Sequence, residues 1–409
     1  MDKNLNTRKN LFWTLGLKGL IKLVSLLKTA VLARIILKQQ LGIFGIAVIV
    51  LGLLETLTET GINIVLIQEK DSLDAYKDTA WVISIIRGVL ISLLIFLLAP
   101  WVSSFFHEPS AITALQIFAL VPLVRGFINP SSVFFQKELF FSREFFYRSA
   151  IAIFEAAAMV SFGLIFRTAS SLAIAILCSA LFEAILSHIV FKPGPKFSFI
   201  TTRAENILRR GKWLNGFGIF AYIFSNADNI MVGRLLGSAP LGVYQYSYNV
   251  SAVPLWDLTD SFHKVIFPSL VHLSAPNPEF RRLFIKSTII QFLISLSIGL
   301  LMILLARPLV LVLFGSEWLE AVPLVKLLSL LGIIRGLANS FNSLFLAAGK
   351  VQYPALVAGV NAICMLVLLY PLINSLGSPG AAYSAIIGSI VSLPLSIIFA
   401  FKILKKQLV

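Results

Sequence analysis

Long apolar runs recur along the whole chain, and their length leaves few folds open. A helix needs about 20 apolar residues to cross a bilayer, and twelve such runs can be drawn in these 409 residues. In the first half they lie at roughly 10–36, 41–67, 79–99, 111–135, 147–166 and 171–191. In the second half they lie at roughly 213–236, 241–271, 285–313, 320–347, 351–373 and 380–401. Hydrophobic residues make up 58% of the chain and charged residues 13%, whereas a soluble domain is about 45–50% apolar and about 25% charged. The chain therefore reads as an all-α polytopic membrane protein of about twelve transmembrane helices.

Two segments occur twice. Arg34-Ile35-Ile36 with Leu41-Gly42-Ile43-Phe44 returns as Arg234-Leu235-Leu236 with Leu241-Gly242-Val243-Tyr244. Arg125-Gly126-Phe127-Ile128-Asn129 returns as Arg335-Gly336-Leu337-Ala338-Asn339. Echoes in the same order, at similar offsets, predict an internal duplication. The division that follows is an N-terminal lobe at 1–191 with spans 1–6, a linker at 192–212, and a C-terminal lobe at 213–409 with spans 7–12. Six spans is an even number, so the halves enter the membrane in the same direction and relate by a parallel pseudo-two-fold repeat. A substrate site between such halves, near the midplane, is the expected consequence.

Lys and Arg set the orientation. With the N-terminus inside, only Lys38 and Arg167 fall clearly in outer connections, with Arg34, Arg234 and Arg307 at the border. Both termini are thus expected in the cytoplasm. The polar N-terminal stretch leads into the first span without a small-residue cleavage site, so it reads as an uncleaved start. Most of the basic residues behind the net charge of +15 lie in short connections, which makes orientation their role and nucleic acid no expected partner. In the linker, Pro193-Gly194-Pro195 precedes a mixed basic and apolar stretch, Ile200 to Arg210, expected to form an interfacial amphipathic helix.

The other connections are too short for a soluble catalytic domain. The sequence carries no GxxxxGK[ST], HExxH or GxSxG pattern, so neither an enzyme nor a bound cofactor is expected. Asp257, Asp260 and His263 share one span but are too sparse to predict a metal. Cys178 and Cys364 sit inside apolar runs and read as small buried hydrophobes.

Charges inside spans are the remaining signal. One at mid-span costs about 2.5–3.5 kcal/mol to insert, so it normally faces an interior or a wet cavity. At about 100° per residue, Thr14, Lys18, Lys22, Ser25 and Thr29 fall within an arc of about 80° on span 1. This cationic stripe is a candidate cavity wall. Shifted by the repeat it meets Leu214, Gly218, Tyr222, Ser225 and Asn229 on span 7, polar at the three deeper positions. The same shift relates Lys28 to Asp228, which could attract across the seam between halves or pair within a half. On span 2, Glu55 and Glu59 share a face with Asn63; two carboxylates so close suit proton exchange, and a pair with Lys28 or Arg87 is the structural alternative. Asp257, Asp260, Ser261 and Lys264 make a similar face on span 8. Arg125 is placed on a face with Asn129, and Arg335 with Asn339. Arg87, Glu155, Glu183 and Lys326 are expected in internal salt bridges, and Arg34 and Arg234 as helix-end anchors.

These residues also carry a resemblance. Leu32-Ala33-Arg34 through Leu41-Gly42-Ile43-Phe44-Gly45, then Gly61-Ile62-Asn63 with Leu66-Ile67-Gln68, are similar to the opening of bacterial polysaccharide exporters. The run Asn226-Ala227-Asp228-Asn229-Ile230-Met231-Val232-Gly233-Arg234 is the most specific match, and Phe267-Pro268-Ser269-Leu270 also fits. The chain thus resembles oligosaccharide flippases of the O-antigen and teichuronic-acid type, over about residues 10–350. Their wider superfamily includes multidrug and toxin extrusion (MATE) transporters and the lipid II flippase.

The resemblance implies a V-shaped transporter in the bacterial cytoplasmic membrane. By alternating access it would flip an undecaprenyl-pyrophosphate-linked oligosaccharide from the inner to the outer leaflet, with membrane lipids and polysaccharide polymerase machinery as further candidate partners. Lys18, Lys22, Ser25, Thr29, Tyr222, Ser225, Asn229, Arg125 and Arg335 are the candidate substrate residues. Glu55, Glu59 and Asp228 are the candidates for ion coupling. A drug or cation efflux antiporter of the same fold is the alternative, and it would favour an acidic or aromatic cavity over Lys18 and Lys22.

Overall fold

The computed structural model describes residues 3–59, 62, 66, 73–273 and 278–405. They are helical almost throughout, as lipid requires of a chain that must satisfy its backbone internally. In the first part of the chain the helices are α1 (Lys3–Ile35), α2 (Lys38–Leu57), α3 (Leu73–Phe106), α4 (Ala111–Gly126), α5 (Phe141–Phe166), α6 (Ala169–Val190) and α7 (Thr201–Ser225). Then come α8 (Ala227–Leu236), α9 (Ser238–Leu273), α10 (Pro278–Leu304), α11 (Ala306–Leu313), α12 (Ala321–Ala347), α13 (Gln352–Leu376) and α14 (Ser378–Lys405). Each of the twelve apolar runs holds helix. Among the described residues, eight helices are long and apolar enough to cross a membrane, or nine if a bent pair counts as one span. The helices α1, α7 and α9 are not among those eight.

Three predicted spans are broken. Span 4 bends by 71° between α4 and the short helical stretch Pro130–Lys137. Pro130 supplies no N–H, and the Asn129 side chain caps the new turn by accepting from the Ser131 N–H at 3.0 Å. Span 7 divides at Asn226 into α7 and α8, and span 9 divides at Leu305 into α10 and α11. The amphipathic helix expected within the linker is not separate: α7 starts at Thr201 and runs unbroken to Ser225.

Packing divides the chain into two compact units, Met1–Asn226 and Ala227–Val409. This partition puts all of α7 with the first unit. In the first unit α4 packs against α2, α3 and α6, α5 packs against α1 and α6, and α2 also meets α7. In the second unit α12 packs against α9, α10 and α14, while α13 packs against α8 and α14. The two sets of helix pairings match in order, as a duplication requires.

The match extends to single residues. A Cβ added at Gly126 would press on the backbone of Ser84 and Ile85, and one at Gly336 would press on Thr259 and Ser295. Ser84 and Ser295, like Gly126 and Gly336, stand at equivalent positions, 211 and 210 residues apart. One turn on, a Cβ at Gly88 would collide with the Pro122 carbonyl, and one at its counterpart Gly299 would collide with Ile333. Small residues four apart let these helices approach closely where lipid offers no hydrophobic drive.

Candidate functional site

In the first unit the charged residues converge on α2. Arg125 Nη1, from α4, donates to Glu55 Oε1 at 3.0 Å. Arg87, from α3, reaches the same helix: Nη2 donates to the Glu55 carbonyl at 2.7 Å and Nε to Thr58 Oγ1 at 3.1 Å. Its guanidinium also lies 3.7 Å from Glu59 Oε2. Glu183 on α6 interacts electrostatically with Arg125 and Arg148. Lys28 on α1 pairs with Glu155 on α5 at 2.6 Å. Charges in the low dielectric of a span are costly unless paired, and these helices meet at their charged residues for that reason. Glu55 and Glu59 each face an arginine, and Asn63 lies outside the described residues.

Lys28 pairs within its own unit, with Glu155, which is one of its two expected alternatives. Other expected groupings change. Arg125 and Asn129 do not share a face, because the chain bends between them: the Asn129 side-chain amide donates to the Phe191 carbonyl at 3.1 Å. Arg335 and Asn339 do share a face, four apart on the unbroken α12, and Asn339 Oδ1 accepts from Asn342 at 3.3 Å. Lys326 is exposed. Asp260 pairs with Lys264 and His263 meets the Ser343 hydroxyl.

Tyr222 turns toward α2. Its hydroxyl donates to the Ile49 carbonyl at 2.9 Å. Gly52 makes this possible, since a Cβ there would strike the Tyr222 ring. Ser225 is exposed at the end of α7, and Asn229 lies past the break at Asn226. The predicted polar face of span 7 is therefore split, and the side chain of Leu214 lies outside the described residues.

The second unit gathers Asp228, Asn229 and Arg335 with two tyrosines that sequence reasoning missed. Asp228 is 2% exposed. Its Oδ1 accepts from the Asn229 backbone at 2.8 Å and from the Asn229 side chain at 3.0 Å. Its Oδ2 accepts from the Tyr244 hydroxyl at 2.9 Å. Arg335 Nη1 donates to the Tyr248 hydroxyl at 3.0 Å and interacts electrostatically with Asp228. The available signal was Tyr244 inside the repeated segment, where the first half has Phe44.

The stripe lies on α1, in the first unit. The helix packs on α5 through Lys28, Leu32 and Ile36, the last two against Gly163. Lys18 and Ser25 are exposed, and Thr14, Lys22 and Thr29 are half-buried. Arg34 is exposed at the C-terminal end of α1.

The model of the family described as polysaccharide biosynthesis protein matches residues 31–323. The lipopolysaccharide biosynthesis protein WzxC of Escherichia coli (strain K12) is 24% identical over 388 residues, 90% of this chain and 78% of its own length. Among solved structures, the lipid II flippase MurJ in an inward closed conformation shares the fold with a TM-score of 0.75, at 12% identity. That match covers 97% of this chain and 91% of MurJ. An inward-facing multidrug resistance transporter of the MATE family shares it with a TM-score of 0.70, at 15% identity and 95% of each chain.

Proposed function

Because the chain belongs to the polysaccharide biosynthesis protein family, we propose that it flips a lipid-linked oligosaccharide from the inner to the outer leaflet of the bacterial cytoplasmic membrane, by alternating access. In this reading both termini are cytoplasmic. A diphosphate carrying sugars cannot cross hydrocarbon unaided and needs a wet cationic surface, while its prenyl tail stays in lipid. The observation that carries the reading is the polar, cationic stripe along α1, on which Lys18 and Ser25 are exposed. Lys18 and Lys22 supply the charge for the diphosphate, and Ser25 and Thr29 the hydrogen bonds. Arg335 and Asn229 stand in a tyrosine-rich cluster suited to sugar contact. Glu55, Glu59 and Asp228 remain the carriers proposed for ion coupling, with Arg125 tuning Glu55 by direct pairing. A drug efflux antiporter shares the fold, but a cationic wall opposes cationic substrates.

Export of surface polysaccharide and membrane abundance, measured together, test this. Lys22→Arg should keep export, because Arg stays charged and binds phosphate. Lys22→Gln should lose most export at normal abundance, and Lys18→Gln should lose less. Normal export in the Lys18→Gln, Lys22→Gln double variant removes the stripe as the diphosphate site. A deletion strain with intact polysaccharide and lost drug resistance overturns the flippase reading.

A further inference from the structure

Two grooves flank the N-terminal end of α10 in the second unit, of about 750 and about 730 Å³. They share Arg281, Ile285 and Leu404 as a common ridge. The second groove forms because α10 and α14 both pack on α12. Its floor is Phe284 and Phe341, part of the local core. The lips are open apolar surface: Ile289 in the first groove is 52% exposed, and Ile398 and Phe401 in the second are 50% and 68% exposed. Arg281, Arg282, Lys286, Lys402 and Lys405 line the two grooves, and no lining residue is acidic.

The repeat supplies a comparison within the chain. In the first unit the corresponding helices are α3 and α6, and the linker fills the place between their ends. The Phe197 ring lies 4.6 Å from that of Trp81, which also meets His188. The Lys196 N–H donates to Asp78 at 2.9 Å, and the Ile200 N–H to Thr79 at 3.3 Å. By the same offset, Trp81 corresponds to Phe292, and Asp78 to Ile289. Where the first unit has the carboxylate of Asp78, the second has Ile289 beside a cationic rim.

We propose that the α10–α14 grooves bind one anionic phospholipid of the inner leaflet, its phosphate on Arg281 and one acyl chain in each groove. Cations at helix ends sit at headgroup depth, and basic pockets between helices take anionic headgroups. The shared ridge fits a two-chain lipid, with a cation where the chains diverge. A bound lipid holds α10 and α14 against α12.

Native mass spectrometry of the full chain, reloaded with phosphatidylglycerol or phosphatidylcholine, tests the site. Wild type should retain phosphatidylglycerol at least about tenfold better, since each cation near an anionic headgroup contributes roughly fivefold. Arg281→Gln with Lys286→Gln and Lys402→Gln should abolish the preference. Ile289→Trp keeps every cation but fills the groove, and it should release the lipid. Arg307→Gln, at the far end of the same stretch, should change nothing. Equal retention of the two lipids, or equal loss in Arg307→Gln, overturns the proposal. So does displacement of phosphatidylglycerol from wild type by undecaprenyl diphosphate, which would give the groove to the transported lipid.

Discussion

Arg125 and Glu55 join α4 to α2 across 3.0 Å, and the repeat does not reproduce the pair. The position equivalent to Glu55 holds Leu255, fully buried and packed where a Cβ on Gly332 would fall. Arg335, the partner of Arg125 in the repeat, turns to Tyr248 instead. One half thus spends the position on an ion pair and the other on apolar packing. Arg125→Leu should lower abundance, because it leaves Glu55 facing low dielectric with one cation fewer. Glu55→Gln still accepts a hydrogen bond and should keep abundance near wild type. Immunoblots of membranes would decide, and equal loss in both variants contradicts the expectation.

Asp228 accepts a hydrogen bond from Tyr244, on another helix, at 2.9 Å. Tyr244→Phe removes one hydrogen bond to a buried carboxylate, at a cost of about 1.5–3 kcal/mol. Thermal unfolding in detergent should show the loss. An unchanged midpoint would mean that water or a rotated Asn229 takes over.

Lys28 and Lys22 should separate on different grounds. Lys28→Gln unpairs Glu155, so abundance should fall. Lys28→Gln with Glu155→Gln should recover it, since replacing both partners is far milder than breaking one. Quantifying membrane protein in the three strains tests this, and a double variant as scarce as the single would remove the pair as the cause.

Glycines give opposite signs. Gly88→Ala drives a methyl into the Pro122 carbonyl and should cost about 1–3 kcal/mol or more, as overpacking does. Gly359→Ala meets nothing within 4 Å in the helix α13 and should gain about 0.5–1 kcal/mol. Unfolding midpoints of the two variants should move in opposite directions.

Orientation is open to labelling. In a chain freed of Cys178 and Cys364, Ser378→Cys should react with an impermeant thiol reagent added to intact cells. Ser198→Cys, exposed in the linker, should be protected. The reverse pattern would invert the expected topology.

Class, helices and the echoed segments are legible in the residues alone. Apolar run length is local in the chain, and bilayer thickness converts it directly into helices. Most of the charged residues that matter are legible too, because a charge inside an apolar run stands out. Whom each charge meets is a matter of packing. Lys28 and Glu155 are 127 residues apart, and Glu55 and Arg125 are 70 apart. Such pairs follow from which helix faces touch, and that depends on close approaches such as Ser84 on Gly126 and Gly52 beneath Tyr222. The break at Asn226 was equally hidden: hydropathy measures burial in lipid, and it is indifferent to whether the helix within a run is continuous.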